Sequence, residues 1–565
     1  MIKASGAQII THILKLEGIT TVAGIPGGSI LPLYNELNKS QIKHVLVRHE
    51  QSAGFVAQGM ARSTGKCAVC FATSGPGAMN LLTSIADARA DSVPVVAITG
   101  QVSTSLIGTD AFQEVDTFGL SFPITKYSVM VKDALELLTV LPEAFNIAVS
   151  GRPGPVLIDV PVDVQNQVVK FDEWPDIKEL HQIKKSDFAR RFCSPVSELK
   201  STLPAISKML LSNSKSVLYI GGGCNSPEGA KAVKEFLSVY NCPVVHSMMA
   251  IGVVPKECPN NFGMVGIHGK EEANNLLNQA QLIFACGVRF DERALGRIKF
   301  DKNKKLIHLD LDAAEVNKII ESTLSCVGEV ESLLPAITEK IREDILKHTE
   351  GISEYHNYFI LKNGLKKNED LIYSKVPMFL KKTNFIKPQK FINQFFGKSN
   401  DYIFTTDVGQ HQLWATNYCN VESTRKFLTS GSLGTMGFGL PAAIGASIAN
   451  PSKKIICLSG DGSIMMNIQE LALLNELNLN VTVIVFKNGT LGLVKQQQDQ
   501  FFKKNHSASI FESDVNLEQI AKGFGLDSFT LNDIPQEMWE EKINQKGPHF
   551  AVVNIHQDEE VQTWF

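Results

Sequence analysis

The sequence has 565 residues, of which 44% are hydrophobic, 20% are charged and 42 are glycine, and this composition excludes a disordered or fibrous chain. A chain of this length is too long for one core, so we expect two to four domains. Lys and Arg number 55 against 58 Asp and Glu, with a net charge of -3 and no long basic run; the charge excludes an electrostatic footprint for nucleic acid, and small molecules are the expected ligands.

The amino-terminal segment, MIKASGAQIITHILKLEG, has the period of an amphipathic helix. It contains too many polar residues for a secretion signal, and no apolar run of the sequence is long enough to span a bilayer. The ten cysteines lie mostly in apolar runs without paired spacing, which is typical of buried free thiols in a reducing compartment. We therefore predict a cytoplasmic protein without a membrane segment.

Short β-branched runs bounded by glycine alternate with helix-length amphipathic segments along the chain. This alternation predicts an α/β fold built from doubly wound parallel sheets. In the first part of the chain, strands are predicted at TTVAGIP, KHVLV, CAVCFATSG, PVVAITG and GPVLIDVP. The strand pattern then stops, and the segment from residue 166 to about residue 198 is charged and aperiodic, which indicates an interdomain connection.

A second set of strands is predicted at SVLYIGGG, CPVVHSM, QLIFACGVRF and KLIHLDLD. Another polar stretch, from about residue 340 to about residue 385, precedes a third set at YIFTTDVG, KIICLSGDG, NVTVIVFKN and HFAVVNI. We therefore predict three domains, over residues 1–185, 186–365 and 366–565, each with its own doubly wound parallel sheet.

Polar side chains follow two consecutive strands of the third set. The strand KIICLSG ends in a Gly-Asp-Gly sequence centred on Asp461, and after a predicted helix of about 20 residues the strand NVTVIVF ends in Lys-Asn-Gly, centred on Asn488. Ligands of open parallel sheets bind beyond the carboxyl ends of the strands, so both side chains can face one crevice. One charged and one neutral oxygen ligand suit Mg²⁺, and the flanking glycines allow a diphosphate to approach the backbone.

This G-D-G-S sequence, followed by a crossover and by an asparagine after an apolar strand, resembles the thiamine diphosphate motif. A Gly-Asp-Gly sequence by itself is better explained as a strand-to-helix turn, and its spacing to Asn488 makes the match specific. The resemblance implies that Asp461 and Asn488 bind Mg²⁺, with the carbonyl group of Thr490 as a third ligand. It also implies that the diphosphate lies against Gly460, Gly462 and Ser463.

In the first set, the polar segment that directly follows the strand KHVLV contains one carboxylate, Glu50. In thiamine enzymes a glutamate at this place hydrogen-bonds the pyrimidine ring of the cofactor and promotes removal of the thiazolium proton. The resemblance gives Glu50 this role, and the alternative is a surface acid after a strand. Glu50 and the metal ligands lie in different domains, and in the family the cofactor is held between the first domain of one chain and the third domain of another. A homodimer or tetramer is therefore implied.

Segments spread over nearly the whole chain are similar to those of acetolactate synthases, also called acetohydroxyacid synthases. They are, in chain order, AGIPGGSILPLY, RHEQSAGFVAQGMAR, SGPGAMN, GQVSTSLIGTDAFQEVD, SGRPGPVLIDVP, GIHG, GVRFDER, TTDVGQHQLW, TSGSLGTMGFGLPAAIGA and SGDGSIMMNIQELA. Oxidases and simple decarboxylases of 2-oxo acids share the glutamate and the metal motif, whereas GTDAFQE followed by R-F-D-x-R is characteristic of the synthases. The chain therefore resembles the catalytic subunit of this family.

Family roles carried over to the matching positions complete the expected site, with Gln410, His411, Gly434 and Met436 on the cofactor and Gly28, Phe112 and Gln113 around the reacting carbon. Gln410 and His411 are expected to hold the diphosphate, and Met436 is expected to lie under the thiazolium ring. Arg293 is expected to bind the carboxylate of the second substrate, because a planar guanidinium suits a 2-oxo acid. The alternative for an arginine is a surface ion pair.

A nucleotide site is expected in the middle domain. Gly221 and Gly222 follow an apolar strand, as in a phosphate-binding turn, and ordinary turn chemistry is the alternative. The other positions that match the FAD-binding segments of flavin-containing synthases are Arg152, His268, Gly269, Arg289 and Asp310. The resemblance therefore implies FAD, with a structural rather than a redox role in the main reaction.

Three positions differ from the usual family pattern, and two of them, Val162 and Glu292, border the expected substrate entrance. Gln497 stands where many members have a tryptophan that favours 2-oxobutyrate, and the exchange suits acetolactate formation, although pocket size changes selectivity by only about 1 to 3 kcal/mol. Val162 replaces a lysine, and Glu292 replaces an aspartate. The chain ends at Phe565, where many relatives have a further tail, and we expect this difference to affect closure over the site.

The resemblance implies decarboxylation of pyruvate and addition of the remaining two-carbon unit to a second pyruvate or to 2-oxobutyrate, the first step of valine, leucine and isoleucine biosynthesis. A small regulatory subunit is common in the family and is an expected partner. Two alternatives stay open at this point. One is another thiamine enzyme that acts on 2-oxo acids, such as a pyruvate oxidase or decarboxylase, and the other is a non-catalytic homologue that acts as a scaffold.

Overall fold

The computed structural model describes residues 1–178, 196–296, 298–300, 303–347, 378–379, 383–398 and 401–563. Its strands form three six-stranded parallel sheets and one two-stranded antiparallel sheet. The predicted domain boundaries, at residues 185 and 365, and the end of the chain at residues 564–565 lie outside the described residues. None of the helices described is long and apolar enough to cross a membrane.

The first sheet is built from strands between residues 21 and 161. The strands of this part of the chain are β1 (Ile2–Ser5), β2 (Thr21–Gly24), β3 (Lys43–Leu46), β4 (Ala68–Ala72), β5 (Val95–Gln101), β6 (Tyr127–Met130), β7 (Val156–Pro161) and β8 (Val168–Phe171). The order across the sheet is β3-β2-β4-β5-β7-β6, and all neighbours are parallel. The strands β1 and β8 pair with each other in antiparallel orientation.

The second and third sheets repeat this design. The strands of the second sheet are β9 (Ser216–Ile220), β10 (Val244–His246), β11 (Asn261–Met264), β12 (Leu282–Cys286), β13 (Lys305–Asp310) and β14 (Leu324–Val327), in the order β11-β10-β9-β12-β13-β14. Those of the third are β15 (Ile403–Thr406), β16 (Phe427–Thr429), β17 (Ile455–Gly460), β18 (Val481–Lys487), β19 (Asp527–Thr530) and β20 (His549–Asn554), in the order β16-β15-β17-β18-β20-β19. The predicted α/β fold with three doubly wound parallel sheets is confirmed.

Helices connect the strands of each sheet. The longer ones are Gly6–Leu16, Leu31–Lys39, Glu50–Thr64, Pro76–Ala90, Leu137–Val149, Val196–Leu211, Pro227–Val239, Glu271–Gln279, Val330–Lys347, Pro388–Phe396, Gln410–Tyr418, Gly439–Ala449 and Gly492–Phe501. The shorter ones are Thr117–Ser121, Val162–Asn166, Glu292–Leu295, Asp461–Ile464, Leu471–Glu476, Leu517–Gly523 and Trp539–Asn544. The first helix begins where Ser5 and Gln8 form a capping box, which satisfies the free N–H groups of its first turn.

The strands that the sequence predicts are present, and those that it misses lie mostly at sheet edges. The missed strands β6, β11, β14, β16 and β19 are each the outermost strand of a sheet. Three expectations are wrong, and the first two concern the start and the end of the first domain. The amino-terminal helix starts only at Gly6, because the preceding residues form β1, and the expected connection after residue 166 begins with β8, the partner of β1. The part of that connection from residue 179 to residue 195 lies outside the described residues.

The crossover between β17 and β18 is also broken, where the sequence predicts a single helix. It consists of the helix Asp461–Ile464, a 3-10 turn over Ile468–Glu470 and the helix Leu471–Glu476. Asn467 lies at the break, and its side chain hydrogen-bonds groups outside the crossover. An asparagine that bonds elsewhere in this way competes with the helical pattern, which explains the interruption.

The first and third domains meet through two helices in close contact, Glu50–Thr64 and Gly439–Ala449. A Cβ atom on Gly59 would lie 2.1 Å from a carbonyl oxygen of the second helix, and one on Gly445 would lie 2.0 Å from a carbonyl oxygen of the first. Residues of both domains belong to a single buried apolar cluster around this contact. The two glycines therefore allow the backbones to approach, and separating the helices would expose a large apolar area.

This contact predicts that the variant Gly445→Ala is destabilised, because the added methyl group must push the two backbones apart. We expect a loss of about 1–3 kcal/mol, as for other overpacked sites, measured by thermal or denaturant unfolding. The matched control is Gly523→Ala, at the exposed end of another helix where no atom lies within 4 Å of the new carbon. Equal stability of the Gly445 variant and the wild type would contradict the packing described here.

Candidate active site

The carboxyl ends of β17 and β18 lie side by side, as the sequence predicts. The two strands are parallel neighbours, with Gly460 opposite Phe486. Asp461 directly follows β17 and is only 7% exposed, and Asn488 directly follows β18. The structure therefore brings these two side chains to the same edge of the third sheet. Asp461 lies in residues 460–463, which we call the metal turn, and Asn488 lies in the facing turn after β18.

The carboxylate of Asp461 is held by main-chain N–H groups rather than by a cationic side chain. One oxygen accepts the N–H of Gly489 at 2.7 Å and that of Asn488 at 3.2 Å, and the other accepts the N–H of Gly462 at 3.1 Å. Burial raises the pKa of Asp461 to about 6, and these hydrogen bonds act against the rise. Gly489 has a φ of 68°, a conformation that favours glycine. A buried carboxylate in such a setting is a favourable place for a cation.

Thr490 adds a third oxygen group. Its N–H donates to Oδ1 of Asn488 at 3.1 Å, and it forms an antiparallel bridge with Ile510 in which its neighbours Gly489 and Leu491 make the hydrogen bonds. The carbonyl group of Thr490 therefore points away from Ile510, to the side of Asn488. A carboxylate, an amide oxygen and a carbonyl fit Mg²⁺. The described part of the chain contains no cluster of three or more His, Cys, Asp or Glu suited to another metal.

Gln410 and His411 begin the helix after β15, where the strand order of the third sheet reverses between β15 and β17. Ligands of doubly wound sheets bind at such a point. His411 lies so close to Gly460 that a Cβ atom there would be 2.8 Å from Nδ1 of the ring. Burial lowers the pKa of His411 to about 3, so the ring is neutral, and its Nε2 has no hydrogen-bond partner among the described residues. This orphaned nitrogen beside a glycine turn fits a diphosphate.

Met436 and Gly434 lie in the loop that follows β16. A Cβ atom on Gly462 would be 3.9 Å from Cε of Met436, so the methionine side chain reaches the metal turn. Gly434 has a φ of 70°, which favours glycine in this loop. Ser463 donates to the carbonyl oxygen of Val408 at 2.8 Å and ties the metal turn to the loop after β15. The expected cofactor-binding residues of the third domain are thus brought together.

One carboxylate that the sequence analysis does not single out, Asp407, joins these loops. It is fully buried and accepts the hydroxyl of Ser459 at 2.8 Å, the N–H of Gly437 at 2.8 Å and the N–H of Gly439 at 3.1 Å. Burial raises the pKa of Asp407, and the same hydrogen bonds act against the rise. Asp407 therefore fixes the Met436 loop against the end of β17. The one indication of this residue in the sequence is its position directly after a predicted strand.

Glu50 begins the helix that follows β3, and its Oε2 accepts a hydrogen bond of 3.0 Å from Nδ2 of Asn80. A Cβ atom on Gly77 would lie 3.4 Å from Oε1 of Glu50. Both neighbours belong to the helix Pro76–Ala90 after β4, at the point where the first sheet reverses its order between β2 and β4. Gly28 follows β2 at the same edge, and a Cβ atom there would meet open space.

Gln113 and Phe112 occupy a loop that reaches the same edge. A Cβ atom on Gly75 would lie 3.0 Å from Cα of Gln113, which itself has a φ of 60°. Phe112 is 88% exposed, so the described chain leaves most of its ring uncovered. Among the described residues, no hydrogen bond or ion pair joins Glu50 to Asp461.

A cavity of about 590 Å³ lies at the second sheet, within the size range of small-molecule sites. The expected FAD-binding residues that line it are Arg152, Gly221, Gly222, His268, Arg289 and Asp310. Gly269, also expected there, lies outside the lining; it is buried, and a Cβ atom on it would meet the carbonyl oxygen of Met264 at 2.5 Å. Arg293, expected at the second substrate, lines this cavity as well.

Glycines open this cavity where the second sheet reverses its order between β9 and β12. A Cβ atom on Gly221 would lie 1.9 Å from the carbonyl oxygen of Gly287, so the two strand ends approach each other closely. Burial raises the pKa of Asp310, at the end of β13, to about 6. A glycine-lined cavity at a switch point, with a carboxyl group nearby, fits a nucleotide.

Three arginines of the cavity wall are held by neighbouring groups. Arg152 forms an ion pair of 2.8 Å with Glu315. Arg289 donates to a hydroxyl of the third domain at 2.6 Å, and Arg293 donates to the carbonyl oxygen of Gly431 at 2.7 Å. These fixed guanidinium groups suit phosphate or carboxylate ligands. Arg293 also links the cavity wall to the loop that carries Met436.

The three positions that depart from the usual family pattern have different surroundings. Gln497 is half-buried on the helix Gly492–Phe501. Val162 is half-buried as the first residue of a short helix after β7. Glu292 is exposed at the start of another short helix, which Asp291 caps through the N–H of Ala294. None of the three is a fully buried core residue.

The chain matches three family models in consecutive segments. These are the N-terminal TPP binding domain of thiamine pyrophosphate enzymes over residues 4–120, their central domain over residues 203–337 and their C-terminal TPP binding domain over residues 407–555. The first segment contains Glu50 and the third contains the metal turn. The fold and the site together define a thiamine pyrophosphate enzyme. Thiamine pyrophosphate is another name for thiamine diphosphate.

Curated relatives narrow the family further. The chain is 44% identical to the acetolactate synthase isozyme 1 large subunit of Escherichia coli strain K12, over 99% of this chain and 95% of the relative. It is 38% identical to the isozyme 2 large subunit of the same organism, over 99% and 96%. It is 40% identical to the acetolactate synthase large subunit of Porphyra purpurea, over 92% and 86%. The chain belongs to the acetolactate synthase large-subunit family.

The metal turn predicts that the variant Asp461→Asn loses Mg²⁺-dependent binding of thiamine diphosphate. The amide keeps the shape of the side chain and removes the charge, so we expect the affinity in the presence of Mg²⁺ to fall about tenfold or more, as measured by calorimetric titration. Asp401→Asn, which changes an exposed carboxylate of the same domain, is the control and should bind as the wild type does. Unchanged affinity in the Asp461 variant would contradict the metal site.

Proposed function

We propose that this chain is the catalytic subunit of an acetolactate synthase, which decarboxylates pyruvate and joins the remaining two-carbon unit to a second 2-oxo acid. With pyruvate as acceptor the product is 2-acetolactate, and with 2-oxobutyrate it is 2-aceto-2-hydroxybutyrate, in the first step of branched-chain amino acid biosynthesis. The observation that carries the proposal is the similarity to acetolactate synthase large subunits along nearly the whole chain.

The cofactor would be held by the third domain. Thiamine diphosphate, when bound, supplies a nucleophilic carbon and takes up the electron pair that carbon dioxide leaves behind. Asp461, Asn488 and the carbonyl group of Thr490 would hold Mg²⁺, which would supply positive charge for the diphosphate. The orphaned Nε2 of His411 would add a hydrogen bond to the diphosphate. Met436, next to the metal turn, supports the ring system.

Glu50 would move the proton that starts the reaction. Its carboxyl group is oriented by the 3.0 Å hydrogen bond from Asn80, and it faces the edge of the first sheet where a pyrimidine ring would lie. Proton transfer by a fixed carboxyl group needs hydrogen-bond distance, which this anchoring provides once the ring is in place. In the family that the chain resembles, the cofactor lies between the first domain of one chain and the third domain of another, so the proposal requires that a second copy complete each site.

The substrates would lie between these two halves, with Gly28, Phe112 and Gln113 near the reacting carbon. Arg293 would bind the carboxylate of the acceptor. A guanidinium has five N–H groups, and the two protein contacts of Arg293, to Gly431 and Gln412, leave some of them for a substrate. Gln497 in place of a bulky ring supports pyruvate as the acceptor, by the modest selectivity that pocket size provides.

We further propose that the cavity at the second sheet holds FAD in a structural role. Its size, its glycine-lined strand ends and the guanidinium groups of Arg152 and Arg289 in its wall support this assignment. The names of the relatives, which call them large subunits, support a small regulatory partner, and a shared site supports a homodimer or a tetramer. The nine described cysteines are all free, which supports a cytoplasmic location.

The function is tested by measuring acetolactate formation from pyruvate while thiamine diphosphate, Mg²⁺ and FAD are omitted in turn. We expect activity to require thiamine diphosphate and Mg²⁺, and the dependence on FAD reports on the cavity. The variant Glu50→Gln should lose about 100-fold or more, because it cannot transfer the proton. Glu36→Gln, which breaks a surface ion pair with Lys39 in the same domain, is the control and should keep full activity.

Two other results would contradict the proposal. Acetaldehyde or acetyl phosphate as the product would indicate another thiamine enzyme that acts on pyruvate. No product from pyruvate under any combination, even with a small subunit added, would indicate a non-catalytic homologue.

A further inference from the structure

Two side chains of the third domain hold the chain on either side of Glu50. Oε1 of Glu470 accepts the N–H of Arg48 at 2.9 Å, and Oδ1 of Asn467 accepts the hydroxyl of Ser52 at 3.1 Å. Both acceptors lie in the crossover after the metal turn, Glu470 fully buried and Asn467 2% exposed. Because Arg48 and Ser52 flank Glu50 by two residues on each side, this clamp fixes the start of its helix.

Asn467 also reaches the loop of Met436. Its Nδ2 donates to the carbonyl oxygen of Gly437 at 2.7 Å and to Oε1 of Gln51 at 3.3 Å. Gly437 directly follows Met436 and has a φ of 88°, and a Cβ atom there would lie 2.7 Å from Nδ2 of Asn467. The glycine therefore leaves room for the amide. A single buried side chain bonds both the turn of Glu50 and the loop of Met436.

Glu470 is a costly residue for a merely structural role. It is fully buried, and its Oε2 has no hydrogen-bond partner among the described residues. Burial raises the pKa of Glu470 to about 7, and the hydrogen bond from the N–H of Arg48 acts against the rise. An apolar side chain would avoid this unpaired oxygen, although it would leave the N–H of Arg48 without its acceptor. What the carboxyl group adds is a fixed acceptor for the main chain just before Glu50.

We propose that Asn467 and Glu470 are positioning residues that hold Glu50 in the place needed for its proton transfer and couple it to the Met436 loop. The inference rests on the proposed role of Glu50. Proton transfer depends steeply on geometry, so a loosened turn lowers its rate even where the fold persists. In a site shared between two chains, Glu50 and Met436 of one chain serve different sites, and Asn467 then links the two sites of a dimer.

The test measures how fast the C2 hydrogen of bound thiamine diphosphate exchanges for deuterium in the holoenzyme, by acid quenching and NMR. This exchange reports proton removal and needs no acceptor substrate. We expect Glu470→Ala and Asn467→Ala to slow it about tenfold or more. Glu470→Gln keeps an oxygen acceptor for the N–H of Arg48 and should restore the rate to within about threefold.

The matched control is Asn450→Ala. It removes a 3.0 Å hydrogen bond to Ser63 between the same two domains, at the far end of the helix that Glu50 begins. We expect this variant to exchange at the wild-type rate, whatever small loss of stability it shows. Wild-type exchange rates in both Glu470→Ala and Asn467→Ala would overturn the proposal, since the clamp would then be structural.

A milder variant covers the case in which Glu470→Ala does not fold. Ser52→Ala removes one hydroxyl and leaves the acceptors in place; slower exchange supports the proposal, and unchanged exchange overturns it. Failure of the proposed function can be distinguished from failure of this inference. A wild type that exchanges rapidly and forms no acetolactate contradicts the reaction while the clamp variants still report on positioning. Wild-type exchange in Glu50→Gln contradicts the relay itself and this inference with it.

Discussion

The packing of the helix Glu50–Thr64 against the helix Gly439–Ala449 fixes how the first and third domains lie against each other. The close approach at Gly59 and Gly445 leaves no room to slide, and the buried apolar cluster around the two helices resists separation. One helix begins at Glu50, and the other follows the loop of Met436. The packing of these two helices therefore relates the position of Glu50 to that of the Met436 loop.

Buried charged groups also hold the first and third domains together. Arg62, on the first of these helices, pairs with Asp87 at 3.2 Å and with Asp91 at 2.9 Å, and both carboxylates are fully buried. Asp91 in turn accepts the N–H of Gly431 at 2.8 Å, while Arg293 bonds the carbonyl oxygen of the same residue. The loop before Met436 is thus held from the first domain on one side and from the wall of the second-domain cavity on the other, so all three domains meet at this loop.

Much of the fold could be predicted because the central strands of parallel sheets are buried on both faces and give continuous apolar runs. Edge strands such as β6 and β19 are bordered on one side only and carry mixed sequences, so the pattern missed them. The pairing of Asp461 with Asn488 followed from strand order, since the ends of parallel neighbours meet at one edge. The domain boundaries and the individual site roles stay predictions.

Other residues of the site could not be predicted from local pattern. Asp407, Asn467 and Glu470 act through hydrogen bonds to groups distant in sequence, such as Ser52 and Arg48, and such bonds leave no periodic signal. Asn467 also interrupts a helix that the sequence pattern predicts as continuous. Arg293 illustrates a related limit, because its motif suggested a substrate contact and its place in the cavity wall depends on how two domains meet.

We propose that each site combines Glu50 of one chain with the metal turn of another. The most direct test co-expresses two differently tagged chains, one with Glu50→Gln and one with Asp461→Asn, and isolates the mixed dimers. If the site is shared, each mixed dimer has one site with both residues unchanged. We therefore expect acetolactate formation at about half the wild-type rate per dimer. Mixed dimers as inactive as either parent variant would contradict a site shared between chains.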